Sequence, residues 1–176
     1  MKKLIKFFTL YEIIIVLAII TFILTISIPR TDIFRQKVII LELDKLFNIF
    51  NYLQQRAIAS NNSQQLTFNI KNNSYLYLSL TNKSISYQLS YPIIFGFLEA
   101  VKGPPSTPTK LINKAITFQT KNKTLTVTFL SNGKITPGTI YIIDKYKKLM
   151  CALTCPISQV SYIRKYIYKN GQWICL

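Results

Sequence analysis

The stretch that decides the fold is FFTLYEIIIVLAIITFILTISIP, which runs from Phe7 to Pro29. It carries one charge, Glu12, and a short basic leader at residues 1–7 precedes the apolar run. At 1.5 Å per residue, the 22 residues from Phe7 to Ile28 span about 33 Å as a helix, enough for a hydrocarbon core of about 30 Å. The run does not end in the small-residue cleavage site of a secretory signal peptide. We therefore predict a transmembrane helix at residues 8–29, with a bend at Pro29.

The flanking charges bear on the orientation of this helix. Lysines at a short N-terminus favour a cytoplasmic N-terminus, although Arg30, Arg35 and Lys37 follow on the other side. Because the leader is so short, we expect the N-terminus inside and the rest of the chain outside. Glu12 is either a functional carboxylate or one that reaches the headgroups from the end of the helix, since a buried one costs on the order of 2–3 kcal/mol.

The set Phe8-Thr9-Leu10-Tyr11-Glu12, the apolar run and Pro29 resemble the N-terminus of type IV pilin-like (class III) prepilins. The resemblance implies that a prepilin peptidase cuts before Phe8 and methylates the new amino group. It also implies that Glu12 neutralises the N-terminal charge of a neighbouring subunit in the fibre. Phe7 departs from the glycine that the family places before the cut, and a bulky ring fits poorly in a subsite shaped for a small residue.

A second helical pattern occupies residues 30–62. Its apolar residues recur at spacings of three and four and predict one buried stripe: Ile39, Leu43, Leu46, Phe50, Leu53 and Ala57. Glu42 and Lys45 are spaced for an ion pair, which we expect on the exposed side. Asn61-Asn62 is the expected end of the helix.

Residues 63–176 predict a β-rich extracytoplasmic domain. Three segments, in which apolar residues alternate with polar ones, predict a three-strand meander with one apolar face: Leu66-Phe68-Ile70, Leu76-Leu78-Leu80 and Ile85-Tyr87-Leu89. Residues 90–109, which contain four prolines, predict a loop. Further strands are expected at 116–118, 125–129, 139–143, 149–153, 160–167 and 172–174, with Asn170-Gly171 as a hairpin turn. The predicted fold class is α+β, a long N-terminal helix packed on antiparallel sheets.

This half resembles, more distantly, the GspH/FimT branch of minor pseudopilins. The resemblance is carried by the helix end at residues 53–59, by the segment at 129–135 and by residues 138–140.

The residue inventory argues against an enzyme. The chain has no histidine, only six carboxylates and five scattered glycines, so it lacks the usual general base, a carboxylate pair and a phosphate-binding loop. We predict no catalytic residue and no cofactor. The three cysteines, without a fourth soft ligand, predict no zinc site. A disulfide in the oxidising exterior would join Cys175 to either Cys151 or Cys155.

The net charge of +16 leaves two interpretations open. Solvated lysines in turns are the simpler one, and an interface for DNA is the other. In the segment Tyr162–Lys169, basic residues alternate with aromatic ones, which suits single-stranded nucleic acid but equally suits tyrosines packed across strands.

These patterns together favour a minor pseudopilin, a structural subunit of a type II secretion pseudopilus. The partners that the resemblance implies are other pilin-like subunits, an inner-membrane assembly platform and the prepilin peptidase. The expected location is the bacterial inner membrane, crossed once, with the C-terminal domain in the periplasm. The alternative is a minor type IV or competence pilin that binds DNA.

Overall fold

A computed structural model describes residues 9–27, 31–81, 83–106, 108–118, 120–121, 124–157 and 162–176. The chain divides into two compact units, Met1–Phe34 and Arg35–Leu176. The first contains helix α1, Leu10–Ser27, and the first residues of helix α2, which spans Thr31–Ser60. The second contains the rest of α2 and all the strands.

The buried stripe of α2 is confirmed in full. All six predicted residues, from Ile39 to Ala57, are completely buried. The helix ends as expected, because Asn61 adopts a left-handed conformation with φ 51° and its N–H donates to the Ile58 carbonyl at 3.2 Å.

In the described part of the chain, ten strands form two antiparallel five-stranded sheets. The first sheet has the order β3-β2-β1-β6-β5 and the second has the order β10-β9-β8-β7-β4. The strands of the first sheet are β1 Gln64–Asn69, β2 Ser74–Leu78, β3 Ser84–Gln88, β5 Thr120–Lys121 and β6 Thr124–Phe129. Those of the second sheet are β4 Ile93–Phe95, β7 Gly138–Asp144, β8 Met150–Cys155, β9 Arg164–Lys169 and β10 Gln172–Cys175. The predicted α+β class with antiparallel sheets is confirmed.

The main core lies between α2 and the inner faces of both sheets. Phe50, in the middle of the stripe, packs edge-on against Phe129 of β6, with ring centroids 5.2 Å apart, and against Phe118, with centroids 6.2 Å apart. Phe129 belongs to the first sheet, and Phe118 lies beside β7 of the second. The helix therefore holds the two sheets together.

The meander is confirmed, but the face that β2 buries is the opposite of the predicted one. Tyr75 and Tyr77 point into the core, whereas Leu76 and Leu78 are exposed. The Tyr87 ring of β3 stacks on both tyrosines, with centroids 5.7 and 6.2 Å away. Cross-strand aromatic stacking outweighs the burial of two leucines here.

The prediction of a plain loop at residues 90–109 is wrong. Ile93–Phe95 forms β4 and pairs with β7 in the register Ile94↔Ile143. The segment from Phe97 to Ile112 then covers the outer face of the second sheet and builds a smaller core with Tyr141, Met150 and Tyr166. Both faces of β7 and β8 are consequently buried.

Two other strand predictions differ from the structure, and one turn prediction is confirmed. Residues 116–118 form no strand, although an isolated bridge joins Ile116 to Ile140. The strand expected at 160–167 begins only at Arg164, and residues 158–161 lie outside the described part. The Asn170-Gly171 hairpin is confirmed, with φ 52° and 80° at the two turn residues.

Candidate assembly site

Glu12 lies in the first turn of α1 and is bound by Thr9, the residue before the helix. Its Oε2 atom accepts hydrogen bonds from the Thr9 backbone N–H at 2.9 Å and from the Thr9 hydroxyl at 3.0 Å. In return, Thr9 Oγ1 accepts one from the Glu12 backbone N–H at 3.3 Å. This reciprocal pattern is a capping box, and the spacing Thr9-x-x-Glu12 is its sequence signature, which our sequence interpretation missed. The box starts the helix and fixes the direction of the carboxylate.

From Leu10 to Ile23, helix α1 presents exposed apolar side chains around its circumference. The large apolar residues from Leu10 to Ile23 are 40–77% exposed. Its two central threonines satisfy their own hydroxyls, because Thr21 donates to the Leu17 carbonyl and Thr25 donates to the Phe22 carbonyl, both at 2.7 Å. Among the described residues, no helix combines the length and the apolar character needed to cross a membrane.

The remaining predicted residues of the N-terminal region cannot be placed. Phe7 and Phe8, at the predicted cleavage point, and Pro29, at the predicted bend, lie outside the described residues. Cleavage, methylation and the bend stay predictions.

The ion pair of Glu42 with Lys45 is confirmed, but its expected exposed position is wrong for Glu42. Lys45 Nζ donates to Glu42 Oε1 at 2.6 Å, and the Glu42 side chain is only 2% exposed. The carboxylate lies near Tyr75, whose pKa is raised by burial first and by the charge of Glu42 second. Glu42 borders the buried stripe, so the sheet covers it while Lys45 reaches solvent.

The predicted disulfide is also wrong, since all three cysteines are free thiols. Cys151 pairs in register with Ile167, whereas Cys175 pairs with Tyr166. Successive residues of a strand point to opposite faces, so Cys175 faces away from Cys151 and from Cys155, which lies four residues further along β8. Burial raises the pKa of the Cys151 and Cys155 thiols to about 12.

The basic and aromatic segment of β9 is engaged in packing. The rings of Tyr166 and Tyr168 contact Trp173 of β10, at centroid distances of 6.5 and 5.1 Å. Lys165 donates to Asp44 of α2 at 2.7 Å. The cross-strand interpretation of these tyrosines is confirmed, and their rings do not form a row of open stacking platforms.

The buried carboxylate of Asp144 has a structural role. Its Oδ1 atom accepts from the backbone N–H groups of Lys148 and Leu149, both at 2.7 Å, and so closes the connection between β7 and β8. A cavity of about 540 Å³ lies elsewhere, at the start of β7, and its described lining residues include Lys110, Lys114 and Cys155 but no carboxylate. Among the described residues, no group of three or more acidic, cysteine or histidine side chains could hold a metal ion.

Comparison with known proteins gives similarity to solved structures only. No family model matches the chain, and no curated protein matches it. A structure of the minor pseudopilin EpsH from the type 2 secretion system of Vibrio cholerae is 14% identical, with a TM-score of 0.44 over 69% of this chain and 90% of that one. A crystal structure of the same pseudopilin is 15% identical, with a TM-score of 0.41 over 77% of this chain and 91% of that one.

Proposed function

We propose that this protein is a minor pseudopilin, a structural subunit of a type II secretion pseudopilus. Residues 8–29 anchor it in the bacterial inner membrane, with the N-terminus in the cytoplasm and the β-rich domain in the periplasm. Its partners are other pilin-like subunits, the inner-membrane assembly platform and the prepilin peptidase that processes the leader.

The observation that carries the proposal is the position of Glu12. A carboxylate at the start of an apolar helix is costly unless a cation neutralises it. Thr9 supplies hydrogen bonds but no charge, so the capping box orients the carboxylate without neutralising it. The N-terminal amine of an adjacent subunit is the counter-ion that the prepilin resemblance implies.

The helices support the proposal in two different ways. The side chains of α1 are apolar and exposed, which suits a segment that packs among lipid and neighbouring α1 helices. The stripe of α2 is already covered by the chain's own sheets. A subunit built this way offers its first helix to the fibre and keeps its second for its own domain.

Glu12 can be tested with two substitutions that separate its charge from its cap. Glu12→Ala removes both, whereas Glu12→Gln removes the charge and keeps a side chain that also forms capping boxes. We expect both variants to reach the membrane and to lose at least about tenfold in co-purification with the other pilin-like subunits after crosslinking, since an unpaired buried charge costs a few kcal/mol. Thr21→Ala, whose hydroxyl bonds only within its own helix, is the matched control and should assemble normally.

The two variants also decide which feature matters. If Glu12→Gln assembles while Glu12→Ala does not, the cap rather than the charge is required, and the counter-ion mechanism is refuted. Normal co-purification of Glu12→Ala would refute the assembly role itself.

A further inference from the structure

The connection between β7 and β8 carries a dense basic sequence, Lys145-Tyr146-Lys147-Lys148, which we call the basic tip. All four residues are exposed. The acid that precedes them, Asp144, is fully buried and bonded to two backbone N–H groups, so it adds no exposed negative charge beside the lysines. The tip therefore presents basic side chains at one turn, Lys145 and Lys147 among them.

Contacts fix the basic tip at the beginning of the second unit. The Arg35 guanidinium lies 4.1 Å from the centroid of the Tyr146 ring. On the other side, Lys145 Nζ lies 5.7 Å from the centroid of the Tyr91 ring, and the Lys145 N–H donates to the Pro92 carbonyl at 2.9 Å. Tyr91 and Tyr146 are 73% and 52% exposed. Basic groups and exposed tyrosines thus lie next to one another at one end of the domain.

The opposite end of α2 is marked by a different turn. Gln54 Nε2 donates to the Gly133 carbonyl at 2.7 Å, which places the turn that contains Lys134 near the C-terminal end of the helix. At 1.5 Å per residue, Arg35 and Gln54 are about 29 Å apart. Lys134 and the basic tip therefore occupy opposite ends of the domain.

We propose that the basic tip binds the anionic phospholipid headgroups of the membrane in which the chain is anchored. Arg35 follows Ser27 by eight residues, so at most about 28 Å of chain separates this end from the proposed anchor. Lysines and arginines beside an anionic surface attract it over roughly a Debye length, and tyrosines favour the headgroup layer. The inference rests on the membrane anchor of the proposed function.

Lysine reactivity in lipid nanodiscs tests this contact. The full-length chain is placed in discs of phosphatidylcholine alone, or in discs in which about one lipid in four is phosphatidylglycerol, and is acetylated with a water-soluble reagent. We expect Lys145 and Lys147 to react at least about fivefold more slowly in the anionic discs, an effect of about fivefold per lysine. Lys83 and Lys134 are exposed lysines in other turns and serve as internal references that should react equally in both discs.

Charge removal and salt sharpen the result. Lys147→Gln should bring the rate of Lys145 back by about fivefold, whereas Lys134→Gln should leave it unchanged. In about 0.5 M NaCl, where the Debye length is about 4 Å, the protection should disappear. Equal rates in the two kinds of disc, or protection that survives the salt, would overturn the proposal. Protection by a free single-stranded oligonucleotide without protection by anionic discs would overturn it as well, in favour of nucleic acid.

A failure of the proposed membrane anchor can be distinguished from a failure of the basic tip to bind lipid. A chain that inserts into neither kind of disc refutes the proposed membrane attachment. In that case, anionic vesicles added from outside still test the tip, because salt-sensitive protection of Lys145 and Lys147 upholds it and unchanged rates overturn it.

Discussion

The two helices in the described part of the chain are adjacent in sequence but differ in how far their apolar side chains are buried. Helix α2 buries six of them completely along one stripe, whereas the large apolar side chains of α1 from Leu10 to Ile23 are 40–77% exposed. The difference teaches that apolar content alone does not direct a helix to a protein core. The spacing of the apolar residues does, because only a stripe with polar residues opposite can be covered by a sheet and leave the other face in water.

The largest expected effect tests this contrast directly. Phe50→Ala in α2 removes a ring that contacts Phe118 and Phe129, and we expect the free energy of unfolding to fall by about 3–5 kcal/mol. Phe22→Ala in α1 is the matched control, since that ring is 68% exposed, and should change it by less than about 0.5 kcal/mol. Urea unfolding of the full chain in mild detergent measures both. Similar losses of unfolding free energy in the two variants would contradict the difference between the two helices.

A smaller effect tests the packing on which the stripe of α2 depends. A Cβ atom added at Gly138 would lie 2.5 Å from Cδ1 of Phe118, the ring that packs against Phe50. We expect Gly138→Ala to cost about 1–3 kcal/mol, because the Phe118 ring has to move. The same change in a Phe118→Leu background should cost clearly less. Additive losses in the double variant would show that the clash is not the cause.

The smallest expected effect, about 1 kcal/mol for each thiol between pH 8.5 and 9.5, concerns the titration of Cys151 and Cys155 in the core under α2. Their pKa values are raised to about 12, whereas an unfolded thiol titrates near 8.5. Between these values the unfolded chain releases protons first, so stability is intact below about pH 8.5 and falls as the pH rises, by up to about 1.4 kcal/mol per pH unit for each thiol. Cys151→Ala should remove one thiol's share of this slope, and Cys155→Ala should remove the other. Unfolding midpoints measured across this pH range give the slopes, and an unchanged slope in Cys151→Ala would contradict the assignment.

Periodicity made the helical core predictable from the sequence. The stripe of α2 repeats at three and four residues with no competing stripe, and Asn61 marks its end. The strands of the meander were predictable because paired polar residues separate them.

The face of β2 was not predictable, because both of its alternating sets are apolar. The sequence Ser74-Tyr75-Leu76-Tyr77-Leu78 offers either tyrosines or leucines to the core, and only the neighbouring Tyr87 decides between them. Alternation along a strand cannot show which set of side chains is buried when both alternating sets are apolar.

The cysteine pairing and the burial of Glu42 depended on tertiary contacts. Whether Cys175 can meet Cys151 is decided by a one-residue difference in register on β9, where Tyr166 and Ile167 face opposite ways. Glu42 is buried because the sheet extends beyond the six residues of the stripe and covers the neighbouring side chain. The spacing of the apolar residues does not show how far around the helix the sheet reaches. The capping box was different, since the spacing of Thr9 and Glu12 was readable from the start.

The segment that covers the second sheet has a consequence for the stability of the whole domain. Its two arms are joined by the hydrogen bond from the Gly103 N–H to the Lys110 carbonyl, and it is held to β10 by the bond from Trp173 Nε1 to the Lys102 carbonyl, both at 2.9 Å. A single proteolytic cut between Gly103 and Lys110 would leave every strand intact. It would nevertheless loosen the connection whose residues shield Tyr141, Met150 and Tyr166, and an apolar sheet face that becomes exposed to water is prone to aggregation. We therefore expect the outer face of this sheet to depend on an intact surface connection as well as on its strands.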